Sequence, residues 1–127
     1  MHISIITREP RAAMHTGAAP GEGNCYEANG KFILSKLDDD SYKLCHGVAV
    51  SSTDGEPFGH AWIEKESLGV AMDFSNGKRA CFPRQAYYEA GRIPVGGHPV
   101  YSYTGREALQ KMLDTEHWGP WNSKPPR

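Results

Sequence analysis

The chain has no CxxC pair and no HExxH motif among its six histidines and three cysteines, so no metal site is expected. The odd set of Cys25, Cys45 and Cys81 argues against a disulfide framework and for reduced thiols, hence a cytoplasmic protein. No apolar run approaches the roughly 18 residues of a membrane span. The opening Met1-His2-Ile3-Ser4-Ile5-Ile6-Thr7 lacks the basic leader of a secretion signal. Charge of one sign is missing too: 14 basic against 15 acidic residues leave a net −1, which excludes the footprint of a nucleic-acid or anionic-membrane binder. Internal repeats are absent, and nothing calls for a cofactor.

What is present suits one domain of 127 residues, placed over 1–121, with 122–127 expected as a flexible tail. Residues 1–7 suggest a short strand. Arg8 to Gly23 is rich in Ala, Gly and Pro, a long loop of the kind that forms lids or site walls. From Asn24 the pattern changes to a helix reaching about Leu37, with Asn24 as N-cap, Glu27 completing a capping box, and Tyr26, Ile33, Leu34 and Leu37 facing the core. Gly30 would let that helix approach whatever it packs on. Tyr42 to Ser52 reads as a strand buried on both faces, and Arg79 to Phe82 as another short strand. Pro83 opens and Gly91 closes a short helix, and Val100 to Tyr103 is a last strand. Thr104 with Glu107 starts a final helix, after which Trp118 and Trp121 pack back on the body. The expected class is α+β, one principal helix packed on an antiparallel sheet.

The centre of this order is a hairpin. Gly59-His60-Ala61-Trp62-Ile63-Glu64 and Val70-Ala71-Met72-Asp73-Phe74 are both strand-like, and the link from Lys65 to Gly69 is short. With the turn centred on Glu66-Ser67, His60 falls directly opposite Asp73. A carboxylate there can hold one ring nitrogen of His60 and leave the other to take a proton from a nucleophile.

Cys25 is the nucleophile that this pair needs. In the first turn of a helix it would feel the positive end of the helix dipole and the unpaired amides, which favour a thiolate and can also receive a developing oxyanion. Cys25 as nucleophile, His60 as general base and then acid, and Asp73 as orienting carboxylate make a triad in workable chain order. Asn24, Tyr26 and Trp62 flank it and are assigned to substrate binding, with Trp62 also suited to core or site wall.

A cysteine opening a helix, then a His-Ala-Trp-Ile-Glu strand, then an Asp strand, resembles the papain-like superfamily of cysteine enzymes, closest in pattern to its transglutaminase-like branch. The likeness spans about Gly23 to Phe74. It implies a papain-like core, the triad Cys25, His60 and Asp73, no catalytic metal, and hydrolysis or transfer of acyl groups through a thioester. Substrates implied are peptide, isopeptide or glutamine amides, so a protein or peptide partner is expected. Papain-type proteases carry a Gln six residues before the cysteine, where this chain has Ala19; the oxyanion donor would then be Asn24 or a backbone amide.

Other readings stand beside this one. Cys25 could be a buried structural thiol, His60 a satisfied core histidine and Asp73 a turn residue. Cys45-His46 is a rival pair, but adjacent strand residues point to opposite faces. Cys81 reads as packing. The alternative function is a catalytically silent papain-like fold acting as a protein-binding or inhibitory module.

Overall fold

The computed structural model describes residues 24–127; the strand expected at 1–7, the loop at 8–23 and Ala19 lie outside them. Among the described residues the fold is α+β, with a five-stranded sheet and three α-helices. The order is α1 (Cys25–Leu34), β1 (Tyr42–Val50), β2 (Pro57–Lys65), β3 (Val70–Asp73), β4 (Ala80–Pro83), α2 (Arg84–Gly91), β5 (Tyr101–Tyr103) and α3 (Gly105–Thr115). The strands lie in the order β4-β3-β2-β1-β5, and every neighbouring pair is antiparallel.

The sheet is covered on both faces, so one principal helix is not the whole arrangement. On one face Phe32 and Ile33 of α1 and Ala108 of α3 pack with Leu44, Ile63, Met72 and Tyr103. On the other, Tyr87 of α2 packs with Cys45, Trp62, Ala71 and Phe82. Alternation along β1 and β2 therefore sends successive side chains into two different cores, which is why both strands are buried nearly throughout. Cys45 and His46 follow this rule and part to opposite faces. Cys81 packs in the α1 face, as expected.

The helix ends are set by local chemistry. Thr104 and Glu107 form a reciprocal capping box on α3. Pro83 precedes α2, whose amide-accepting end closes on Arg92 in the left-handed region, one residue after Gly91. The box expected at Asn24 does not form: its side chain makes no cap hydrogen bond, and its Oδ1 accepts from the Asn76 amide at 2.7 Å instead. Glu27 pairs with Lys31 one turn on, at 2.8 Å. The helix also stops at Leu34 rather than Leu37, where the Ser35 hydroxyl and amide both turn back onto the Phe32 carbonyl.

Residues 122–127 are not a loose tail. Ser123 is buried, the Arg127 carbonyl accepts from the Gly59 amide at 2.8 Å, and the Arg127 guanidinium meets both Asp54 oxygens at 2.9 and 3.0 Å. Trp118 and Trp121 do pack back, Trp121 against His46 and Tyr103. Gly30 is where the returning chain comes closest to α1: a Cβ there would lie 2.8 Å from Trp118 Cε3 and 3.2 Å from Met112 Cε. Gly30→Ala should therefore destabilise the fold by about 1–3 kcal/mol through overpacking, despite alanine's better helix propensity. Urea denaturation checks this, and a stabilised variant would contradict the close packing described.

Candidate active site

The site is built at the place where β3 ends early. β3 has four residues beside the nine of β2, so among the described residues the edge of β2 from Ala61 back toward Pro57 lacks a strand partner on that side. The N-terminus of α1 fills the gap. The Ala61 amide is directed at the Cys25 sulfur, and Asn29, one turn after Cys25, donates from Nδ2 to the Ala61 carbonyl at 3.1 Å. Cys25 is thus brought to the strand that carries His60.

The hairpin register differs from the one expected. Lys65 pairs with Val70 and Ile63 with Met72, so Asp73 comes level with Trp62, not with His60. The cause is the link: Glu66–Leu68 form a 3-10 turn that Gly69 closes at φ 63, which moves the centre of the turn toward Leu68. A shift of two residues keeps side chains on the same face. His60 and Asp73 become diagonal neighbours, and their closest atoms, Nε2 and Oδ2, stand 3.9 Å apart.

Asp73 is held firmly. Its Oδ1 accepts from the Ser75 amide at 2.9 Å and from Asn29 Nδ2 at 3.2 Å, while Lys78 Nζ lies 3.2 Å from Oδ2. Burial alone would raise its carboxyl, but His60, Lys78 and Ser75 outweigh it and hold the group below its ordinary value, so Asp73 is ionised. His60 is also buried, and the loss of solvent lowers its affinity for a proton more than Asp73 restores it. The imidazole is neutral at rest, the state a general base needs. Its Nε2 is 2.7 Å from the hydroxyl of Tyr87.

Cys25 corrects one expectation. Its thiol is pushed up to about 12, chiefly by burial, with Asp73 adding to the effect and the Ala61 amide opposing it. The helix terminus does not outweigh desolvation here, so the resting group is a thiol and not a thiolate.

The expected substrate-binding residues separate. Asn24 is exposed, and its side chain ties α1 to Asn76. Tyr26 is half-buried, with a hydroxyl that has no hydrogen-bond partner among the described residues. Trp62 is fully buried in the core, its Nε1 donating to Glu64 Oε2 at 2.9 Å, which is the core position the sequence also allowed it. Glu64 in turn accepts from Tyr88 and meets Arg84 Nε at 2.9 Å, which pins the indole under His60 with ring centroids 5.7 Å apart.

Sequence reasoning missed three members of this cluster: Asn29, Lys78 and Tyr87. Asn29 left a signal, being an amide four residues after Cys25 and hence on the same helical face. Lys78 and Tyr87 reach the site only through the turn after β3 and through α2, and nothing local marks them. Among the described residues no group of His, Cys, Asp and Glu could hold a metal ion, and no helix is long and apolar enough to cross a membrane.

No known protein family, no curated protein and no solved structure matches this chain.

Proposed function

We propose that the protein is a cysteine-dependent hydrolase or acyl transferase of papain-like, transglutaminase-like architecture, acting on an amide, isopeptide or related acyl bond through a thioester on Cys25. One observation carries this reading. Asn29 bonds the Cys25 carbonyl at 2.9 Å and Asp73 Oδ1 at 3.2 Å, and Asp73 Oδ2 stands 3.9 Å from His60 Nε2, so a cysteine at a helix start, an ionised buried carboxylate and a neutral buried histidine follow one another through Asp73.

The chemistry follows from the protonation states. With a protonated resting thiol, Cys25 gives its proton to His60 as the sulfur attacks the acyl carbon, so the ion pair forms during attack and is not stored. The imidazolium is stabilised by Asp73. It then protonates the leaving amine as the C–N bond breaks, leaving a thioester that water or a second amine opens. A protein or peptide is the proposed substrate. The three free thiols support the cytoplasm as its place.

The test is acylation by p-nitrophenyl acetate, followed by intact mass and peptide mapping. Acetyl should accumulate on Cys25 and not on Cys45 or Cys81, and Cys25→Ala should lower p-nitrophenol release on the order of 10³-fold or more. A second reading, the silent binding or inhibitory module, is favoured by the thiol's burial and raised proton affinity. Equal release by wild type and Cys25→Ala, with no acetyl at Cys25, would leave that reading in possession.

A further inference from the structure

Resting on the catalytic reading above, we propose that Tyr87 and Asp73 together fix the tautomer of His60, Tyr87 through the directed bond at Nε2 and Asp73 through its charge, and so leave Nδ1 as the ring nitrogen offered to Cys25. Tyr87 is a positioning residue of the site. Tyr87 Oη lies 2.7 Å from His60 Nε2, within hydrogen-bond range, whereas the nearest Asp73 oxygen is 3.9 Å away and beyond it. The two groups therefore divide a task that one carboxylate performs in a Ser-His-Asp arrangement. Tyr87 supplies the directed bond, and Asp73 supplies the charge.

The direction of the bond follows from what surrounds it. Asp73 is ionised and its Oδ2 faces Nε2, so the field favours a proton on that nitrogen. The Tyr87 oxygen then accepts from Nε2–H, and Nδ1 is left bare. Burial keeps Tyr87 a neutral phenol, able to accept this bond without placing a second negative charge beside Asp73. The ring is also held in plane: Trp62 stacks on it at 23° with centroids 5.7 Å apart, and the Tyr87 ring, which meets it end-on through the hydroxyl, lies within 25° of its plane. In the proposed step the S–H bond of Cys25 breaks, its proton goes to Nδ1, and the Nε2–H to Tyr87 bond tightens as the ring becomes positive.

Ring ¹⁵N spectra of His60 test this without reference to activity. In the wild type at neutral pH, Nε2 should carry the proton and Nδ1 should not. In Tyr87→Phe, which keeps the ring but removes the oxygen, the two tautomers should mix, and Cys25 acylation should slow on the order of 10²-fold with a shifted pH profile. Asp73→Asn should lower the proton affinity of His60 and weaken, without abolishing, the preference for a proton on Nε2. A wild-type His60 protonated on Nδ1, or a Tyr87→Phe protein with the tautomer unchanged, would overturn the assignment. The tautomer and acylation readings separate the two claims: a tautomer that shifts in a protein that never acylates Cys25 keeps Tyr87 and removes the enzyme. Acylation with an indifferent tautomer does the reverse.

Discussion

Asn29→Leu should cost about 3–5 kcal/mol of folding stability, a large part of the 5–15 kcal/mol that a domain of this kind possesses. Asn29 is fully buried, and its amide serves four groups: Nδ2 faces the Cys25 and Ala61 carbonyls and Asp73 Oδ1, and Oδ1 accepts from the Phe74 amide at 3.0 Å. Leucine fills nearly the same space and answers none of them. The Cys25 carbonyl keeps its place in the helix and Asp73 keeps Ser75, but the Ala61 carbonyl and the Phe74 amide lose these partners inside the protein. Each such orphan costs roughly 1–3 kcal/mol. Asn29→Asp should be worse at neutral pH, because a second carboxylate would face Asp73, and should partly recover in acid as one of the two is protonated. Urea midpoints at two pH values read both effects. A loss below about 1 kcal/mol for Asn29→Leu would mean that the amide is replaceable by water and that α1 is not docked through it.

Acid should unfold the protein through His46, with a slope of roughly 1.4 kcal/mol per pH unit from this one residue. His46 is fully buried among Tyr26, Tyr103 and Trp121, with ring centroids 4.8 to 5.3 Å away, and neither ring nitrogen has a hydrogen-bond partner among the described residues. Burial first, and His117 second, lower its proton affinity to a value of about 3. The unfolded chain takes up that proton near pH 6.5 and the folded one only near 3, so stability is whole above 6.5 and drains away between the two. His60, lowered in the same direction, adds to the slope, and Asp73 adds more below its ordinary value. In His46→Leu the stability at neutral pH should fall, because a branched aliphatic group does not match the slot that three aromatic rings form around a flat imidazole, while the pH dependence between 6.5 and about 3 should flatten by one proton. A slope unchanged in that variant would place the titration elsewhere.

Much of the fold was legible because its signals are local. Asn24, Pro83 and Thr104 each stand immediately before a helix, β1 and β2 follow largely apolar runs, and β5 follows a pair of tyrosines. The tail was not legible, because its hold on Gly59 and Asp54 depends on chain nearly seventy residues away. In the site, Cys25, His60 and Asp73 could be named from residue type and order; Asp73 Oδ2 lies 3.9 Å from His60 Nε2, and Asn29 links Asp73 to the Cys25 carbonyl. Their protonation states could not: a helix terminus argues for a thiolate, and only the depth of burial decides against it. The His60 to Asp73 register depended on how four link residues turn, which a left-handed Gly69 settles.

The short third strand has one more effect. A nine-residue β2 beside a four-residue β3 would normally present bare peptide groups to solvent, an invitation to another molecule's edge. Here Cys25 and Asn29 cover one rung at Ala61, and the Arg127 carbonyl covers the next at Gly59. The groups that assemble the candidate chemistry are thus also a guard against self-association, and selection for either property would preserve the other.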